Sequence, residues 1–252
     1  MPVRNFADSG TVRTALGASD ISAGPFTYVG LVKLQAGTGS AWIAAFQDAS
    51  HFNAGNWESM GVENKILETF PGPGSSGGPE PPRSVWVLLA ATKVATKSKV
   101  KYYVYRFDEN KWVTAESTNE FTPTHTGTPA EIQLGRWNGT EQLKGLMAAV
   151  AFFNKVLSKA ELEEMVTGVI KDWLKKSPVG MWMFNQKSVS EELKDATGNG
   201  ADQSSIVGTT VSEEEPPIPY EGEEGKTVKV LKEGVLVNAK RWILKGGVLV
   251  NK

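Results

Sequence analysis

The chain has 252 residues, with 27 Lys and Arg against 28 Asp and Glu, two His and no Cys. This length allows one large all-β domain or two small ones, with a core that needs no disulfide or metal. The balanced charge argues against a nucleic-acid binder, which usually carries a basic face. The lack of Cys excludes thiol catalysis, zinc–thiolate sites and disulfides, and two His leave little room for a multi-histidine metal centre.

The beginning of the chain carries no predicted targeting signal. Residues Met1–Phe6 contain neither the apolar region nor the small-residue cleavage site of a secretory signal peptide. The longest apolar run is Val85–Ala91, far shorter than the ~20 residues that cross a bilayer. We therefore expect a protein made in the cytoplasm, without membrane insertion.

Residues 1 to about 155 contain short runs rich in Val, Ile, Tyr, Trp and Phe, separated by Gly, Asn, Asp and Pro. Runs of this kind predict strands, and their spacing without helices indicates a sandwich or barrel. Asp108–Lys111 is predicted to be a hairpin turn, and Pro71–Pro82 a loop, because proline cannot occupy a central strand. The predicted strands are Phe26–Leu34, Ser40–Gln47, Val85–Lys93, Lys99–Phe107, Ile132–Leu134 and Gly145–Asn154.

One helix is predicted at about residues 158–176. Ser158 and Glu161 have the spacing of a capping box, and Pro178 ends the pattern. Apolar residues then recur every three or four positions, which predicts a single stripe that packs on a sheet. The stripe consists of Leu162, Met165, Val166, Val169 and Trp173.

The C-terminal part contains an internal repeat. After strands at Val179–Phe184 and Ser205–Val211, the charged, Pro-rich segment Glu213–Pro219 is a candidate linker. Beyond it, Val230–Asn238 is repeated as Ile243–Asn251, and each copy predicts strand, Gly turn, strand. We place the domain boundary so that residues 1–222 form the main domain and 223–252 a β-repeat tail.

So short a tail cannot bury a core of its own. It must fold onto its own domain as a small meander or add strands to another chain, and we favour the second alternative. The predicted assembly residues are Val235, Leu236, Val237, Trp242, Val248, Leu249 and Val250.

Three segments resemble laminin-G-like, concanavalin-A-like jelly rolls. They are Phe26–Lys33, the run from Phe152 to Leu162, and Gly180–Asn185 followed by Asp195–Gly200. The resemblance covers residues 1 to about 222. It implies an all-β fold, a two-sheet antiparallel jelly-roll sandwich with one short capped helix.

A narrower resemblance concerns tailed bacteriophages. A jelly roll that ends in Thr197–Gln203 and Ile206–Val211, followed by a short Lys/Gly/Val repeat, is similar to minor tail and capsid-surface proteins of virions. This resemblance implies a non-enzymatic structural protein located in the virion. Its partners would be other virion proteins and copies of itself, and the resemblance also allows a role in host adhesion, because a shared fold does not fix function.

Catalytic patterns are absent from the sequence. Glycoside hydrolases need two carboxylates roughly 5–9.5 Å apart across a cleft, and no E-x-D-x-x-E strand supplies them here. Neither His51 nor His125 accompanies a G-x-S-x-G elbow, and Gly72–Gly78 lacks the Lys and Ser or Thr of a phosphate-binding loop. We therefore predict no enzymatic activity.

Calcium is the most plausible metal, because it takes hard oxygen ligands from loops. Asp195, Asn199 and Asp202 cluster in one turn-rich segment. One segment supplies few carboxylates, and Asp, Asn and Gly also form turns without an ion. We therefore expect no cofactor, with calcium as the alternative.

Carbohydrate binding is the alternative function. Sugars stack on aromatic faces while polar side chains hold their hydroxyl groups. Most of the eight Trp are expected in the core, but two stand in polar loops. The predicted site for a host-surface glycan is Trp57 with Asn53 and Asn56, or Trp137 with Arg136 and Asn138.

Overall fold

A computed structural model describes most of the chain. The described residues are 3–14, 24–37, 41–47, 58–63, 66–70, 77–95, 97–121, 131–137, 141–184, 194–199, 202–221, 228–232, 235–239, 242–245 and 248–251. Within these ranges, no helix has both the length and the apolar character needed to span a bilayer.

The described residues between 3 and 212 are mainly in β-strands. In chain order the strands are β1 Val3–Thr14, β2 Phe26–Leu34, β3 Ala41–Gln47, β4 Glu58–Glu63, β5 Ile66–Phe70, β6 Trp86–Lys93, β7 Ser98–Arg106, β8 Lys111–Phe121, β9 Glu131–Leu134, β10 Arg136–Trp137, β11 Glu141–Gln142, β12 Gly145–Phe153, β13 Gly180–Met183 and β14 Gln203–Ser212. Between β12 and β13 lie helix α1, Lys159–Thr167, and a 3-10 helix, Ile170–Lys176.

Strand β1 links the two layers of an antiparallel sandwich. One layer has the order β12-β2-β6-β7-β8, and the other has the order β9-β3-β4-β5. The first part of β1 pairs with β12, with Arg4 opposite Met147, and its last part pairs with β9, with Val12 opposite Leu134. On its other side β1 pairs with β14. This arrangement confirms the predicted all-β jelly-roll sandwich.

The core between the layers forms where apolar side chains of both layers meet. Tyr28 and Val32 of β2 share one buried cluster with Ile43 of β3 and Met60 of β4. The layers approach closely at Gly30, where a Cβ atom would lie 3.0 Å from Cγ2 of Ile43. A larger residue at position 30 would therefore push the layers apart.

The outer face of the first layer is buried as well. Val29 and Leu31 of β2 belong to a second cluster that includes Leu162 and Met165 of α1 and Trp173 of the 3-10 helix. Strands covered on both faces need apolar residues at consecutive positions, which explains the continuous apolar runs of β2, β6 and β12.

The predicted single helix is in fact two shorter helices. The capping box is confirmed: the Ser158 hydroxyl accepts from the Glu161 backbone N–H, and the Glu161 carboxylate accepts from the Ser158 N–H. However, α1 ends at Gly168, so Val169 does not continue the stripe. The N–H groups of Ile170 and Lys171 donate to the carbonyl oxygens of Pro219 and Tyr220 instead of to helix carbonyls.

The segment Glu213–Pro219 is docked on the jelly roll, so its prediction as a linker was wrong; together with Tyr220 we call it the strap, residues 213–220. Ile218 and Tyr220 are each only 1% exposed and belong to the outer cluster. Glu214 forms an ion pair with Lys33 of β2 at 2.8 Å. The charged and proline-rich composition concealed two apolar anchors, Ile218 and Tyr220. The backbone N–H groups of Ile170 and Lys171 hold the same segment through the carbonyl oxygens of Pro219 and Tyr220.

The chain divides into two units, Met1–Tyr220 and Glu221–Lys252. The second unit contains β15 Val228–Lys232, β16 Val235–Ala239, β17 Trp242–Lys245 and β18 Val248–Asn251. Strands β15 and β16 form one two-stranded antiparallel sheet, and β17 and β18 form another. Each copy of the sequence repeat is thus a separate hairpin, as its strand–turn–strand pattern predicted.

Candidate functional site

Four of the six predicted glycan-binding residues lie outside the described part of the chain. Asn53, Asn56, Trp57 and Asn138 lie outside the described residues. Arg136 and Trp137 form β10, whose backbone pairs with β11 so that Arg136 is opposite Gln142. A glycan site at these residues stays a prediction.

The predicted calcium ligands do lie together, in a turn held on strand β13. Asp195 is 4% exposed, and its Oδ1 accepts from the backbone N–H groups of Met181 at 2.9 Å and Thr197 at 3.1 Å. Asp202 Oδ1 accepts from the Asp195 N–H at 3.0 Å, and Asn199 Nδ2 donates to the Val179 carbonyl at 3.1 Å.

These hydrogen bonds give the three residues a structural role. The Oδ2 of Asp195 also accepts from the Thr197 hydroxyl at 2.5 Å, so both oxygens of the carboxylate have donors. No group of three or more His, Asp or Glu side chains that could hold a metal occurs among the described residues. Calcium binding at Asp195, Asn199 and Asp202 remains an untested prediction, and the observed contacts explain these residues as a turn.

The predicted assembly residues all lie on tail strands. Val235, Leu236 and Val237 are in β16, Trp242 is in β17, and Val248, Leu249 and Val250 are in β18. In backbone register, Val237 is opposite Val230 and Leu249 is opposite Leu244.

The structure also shows an aromatic strip that the sequence patterns did not predict. We define the strip as Tyr103, Tyr105, Phe107 and Trp112, on the outer face of the β7–β8 hairpin. Trp112 is opposite Tyr105 in register, with ring centroids 5.0 Å apart, and contacts Tyr103 edge-on at 6.3 Å. Tyr105 contacts Phe107 edge-on at 4.9 Å. Trp112 and Phe107 are half-buried, while Tyr103 and Tyr105 are buried.

The hairpin turn positions the strip. The predicted turn at Asp108–Lys111 is confirmed for Asp108–Asn110, whereas Lys111 is the first residue of β8. Asn110 has a positive φ of 50°, which Asn tolerates. The Tyr105 hydroxyl donates to Oδ1 of Asn110. The hydrogen bond from Arg106 lowers the pKa of the Asp108 carboxyl below its usual range. The turn thus fixes the end of the strip.

Charged side chains frame the strip. Lys159, the first residue of α1, has its Nζ 5.7 Å from the Trp112 ring centroid, and Lys101 has its Nζ 5.5 Å from that of Tyr103. The backbone N–H of Phe107 lies 3.4 Å from the Trp86 carbonyl oxygen, and the Trp86 indole N–H donates to Glu214 at 2.8 Å.

The sequence contains a signal that could have predicted the strip. Aromatic residues alternate at positions 103, 105 and 107, and Trp112 follows the turn.

Comparisons with known proteins give a fold but no family. No protein-family model matches the chain, and no curated protein matches it. Among solved structures, a candidate carbohydrate-binding protein from Bacteroides ovatus is similar, with a TM-score of 0.59, 17% identity, and coverage of 87% of this chain and 62% of that chain. At this identity the likeness establishes the fold alone.

Two weaker similarities involve larger proteins. The LG1-3 region of the laminin alpha2 chain has a TM-score of 0.46, 7% identity, and coverage of 83% of this chain and 34% of its own. Tailspike protein 2 of Escherichia coli O157:H7 bacteriophage CAB120 has a TM-score of 0.43, 10% identity, and coverage of 74% and 29%. The chain spans less than two thirds of the length of all three structures.

Proposed function

We propose that the chain is a non-enzymatic structural protein of a bacteriophage virion, exposed on the capsid or tail and assembled through its C-terminal hairpins. The observation that carries this proposal is the arrangement of the tail as two hairpins, each in its own two-stranded sheet. A single two-stranded hairpin is marginally stable in water. Such strands gain stability when another chain, a virion protein or a second copy, adds to their edges.

The jelly roll ends on a residue that is anchored within it. Its last residue, Tyr220, is buried, and its carbonyl oxygen accepts from Lys171 of the 3-10 helix. The truncation after Tyr220 separates the jelly roll from the tail.

The experiment is a truncation after Tyr220, with incorporation into particles measured by quantitative blotting. We expect the truncated chain to melt like the jelly roll of the full chain, as followed by circular dichroism, and to be lost from particles. A matched variant lacks only residues 240–252 and so keeps the first hairpin. Incorporation of the Tyr220 truncation at the full-length level would overturn the proposal.

Carbohydrate binding is the second candidate function, and the half-buried rings of Trp112 and Phe107 favour it. The solved structure from Bacteroides ovatus that shares the fold is described as a candidate carbohydrate-binding protein, which also supports this role. A glycan array tests it, first with the full chain and then with Trp57→Ala and Trp137→Ala at the sites predicted from sequence. Both functions can coexist, because a virion-surface domain that binds host glycans would aid adhesion.

A further inference from the structure

Strand β14 is an edge strand: in the described part of the chain it pairs only with β1, from Gln203 to Ser212. We call the side away from β1 the outer edge of β14. Near the end of the strand, Thr210 and Val211 are both exposed, and Val211 is 51% exposed. Because neighbouring residues of a strand point to opposite faces, neither face of this end is covered. Such an edge presents backbone N–H and C=O groups to which another strand can add.

The other edge strands of the sandwich are protected against strand addition. Strand β8 contains Lys111, Glu116 and Glu120, and β5 contains Glu68. Strand β13 is covered by the turn that follows it, where the Ala196 N–H donates to a carbonyl oxygen of the strand at 2.8 Å. Charges and coverage of this kind prevent edge-to-edge pairing. Strand β14, with the sequence QSSIVGTTVS, contains no charged residue and no proline.

The chain becomes acidic directly after β14. Glu213 and Glu215 are exposed, while Glu214 pairs with Lys33. In sequence, residues 213–224 contain six Glu and no Lys or Arg. A strand that adds to the outer edge of β14 therefore lies against an uncharged strand that ends in negative charge.

The tail has the complementary pattern. Strands β16 and β18 contain no charged residue, whereas their partners β15 and β17 contain Lys. Each of the two uncharged strands pairs on one side only within the described residues of the tail. Residues 225–252 contain seven Lys and Arg and one Glu, and β18 is flanked by Lys245 and Lys252. The tail thus offers short uncharged strands with positive charge at their ends.

We propose that the outer edge of β14 takes up an uncharged strand, β16 or β18, from the tail of a second copy of the chain. Backbone hydrogen bonds between the added strand and β14 supply affinity, as in other cases of strand addition. The positive charge of the tail then meets the negative charge after β14, which selects this partner. Pairing of β14 with β14 of another copy brings no positive charge to the acidic end.

The inference rests on the proposed assembly function and names the partner of the tail as a second copy of the chain. The donor strand and the acceptor edge are different surfaces, so the contact is head-to-tail. Contacts of this type close into a ring or continue as a filament.

The first test measures self-association of the full chain by light scattering during gel filtration. Val211→Lys adds positive charge to the acceptor edge, and we expect it to weaken self-association at least about tenfold, because it opposes the cationic tail. Val94→Lys is the matched control, since Val94 is 67% exposed just after β6. This control should associate like the unmodified chain. Circular dichroism melting establishes that each variant is folded.

The second test identifies the two strands that meet. The natural chain has no Cys, so each introduced Cys is a unique reporter. A chain with Thr210→Cys or Val211→Cys is mixed with a tagged chain that carries Leu236→Cys in β16 or Leu249→Cys in β18, and mixed disulfides are measured after mild oxidation. We expect at least one tail position to cross-link with β14 several-fold more than with Val94→Cys.

The outcomes separate the inference from the proposed function. A full chain that stays monomeric, association that Val211→Lys leaves unchanged, or disulfides that join only β14 to β14 overturn the inference. Association that survives truncation after Tyr220 also overturns it, because the tail is then not the occupant. Loss of the truncated chain from particles in any of these cases keeps the tail as an anchor to another virion protein.

A further outcome overturns the function alone. Association in solution that requires both the tail and the β14 edge supports strand addition. If the chain truncated after Tyr220 nevertheless enters particles at the full-length level, strand addition holds and the tail's role in virion assembly is overturned.

Discussion

The hydroxyl oxygen of Tyr220 lies 3.0 Å from the carbonyl oxygen of Ala148, which fastens the last residue of the jelly roll to strand β12. The same carbonyl accepts from the Phe184 N–H at 2.9 Å, and the hydroxyl also lies 3.1 Å from the Phe184 carbonyl oxygen. Tyr220 thereby ties the strap to the backbone at β12 and just beyond β13. These contacts hold the last residue of the first unit in place.

Removing the Tyr220 hydroxyl should measurably destabilise the jelly roll. Tyr220→Phe deletes a buried hydrogen bond, which we expect to cost about 1 kcal/mol and to lower the melting temperature by about 2–4 °C. Tyr220→Ala should cost about 3–5 kcal/mol, because it also leaves a cavity. Urea unfolding of the chain truncated after Tyr220 measures both values. A Phe variant as stable as the unmodified protein would show that this hydrogen bond contributes nothing.

The contact between Gly30 and Ile43 predicts a coupled pair of mutations. Gly30→Ala would bring a methyl group within 3.0 Å of Cγ2 of Ile43, at an expected cost of about 1–3 kcal/mol. Ile43→Ala should cost about 2–5 kcal/mol by creating a cavity. In the double variant Gly30→Ala/Ile43→Ala, the new methyl group at position 30 no longer meets a Cγ2 atom. The double variant should therefore lose less unfolding free energy than the sum of the losses of the two single variants. Simple additivity in denaturant unfolding would contradict the close approach of the two layers.

The capping box predicts a pH-dependent contribution to stability. Hydrogen bonds from the Ser158 backbone N–H, and from its hydroxyl, lower the pKa of Glu161. Because the folded-state pKa is depressed, the stabilisation is present at neutral pH and is lost as the pH falls through that lowered pKa. Glu161→Gln should therefore lose less stability on acidification than the unmodified protein does. Melting curves between pH 7 and pH 3 measure the difference.

A companion variant isolates the cap from the charge. Ser158→Ala should cost about 0.5–2 kcal/mol at neutral pH, which is typical of a lost N-cap side chain.

The pH prediction for Glu161 would be contradicted by equal acid sensitivity in Glu161→Gln and the unmodified protein. Glu161 would then have the same pKa in the folded and unfolded states.

The turn at Asp195 predicts a loss of stability on neutralisation of its carboxylate. Asp195→Asn keeps the size of the side chain but weakens acceptors that serve Met181 and Thr197, at an expected cost of about 1–3 kcal/mol. We expect the same cost in millimolar calcium and in EGTA, since the hydrogen bonds need no ion. A melting temperature of the unmodified chain that rises with calcium, and fails to rise in Asp195→Asn, would instead establish the calcium site.

Several features could be predicted from the sequence because they depend on neighbouring residues. The hairpin turn at Asp108–Asn110, the capping box of Ser158 and Glu161, and the repeated hairpins of the tail follow from local spacing and turn chemistry. The split of the predicted helix could not be read in this way. The helix is interrupted where the N–H groups of Ile170 and Lys171 donate to the carbonyl oxygens of Pro219 and Tyr220. These acceptors lie about fifty residues further along the chain, so local spacing does not show them.

The aromatic strip shows the same limit at the candidate site. The sequence placed Tyr103, Tyr105 and Phe107 on alternating positions of one strand, but alternation alone does not tell an outer face from a core. That distinction depends on where α1 begins, since its first residue, Lys159, has its Nζ 5.7 Å from the centroid of the Trp112 ring.

The sequence by itself determined the class of fold, because apolar periodicity and turn residues are local properties that every strand carries with it. Only the tertiary structure decided which faces are covered: β2 on both sides, the strap 213–220 against the helices, and Trp112 in part. The physical reason is that burial depends on the free energy of contacts between segments far apart in the chain. Such contacts leave no fixed spacing in the sequence.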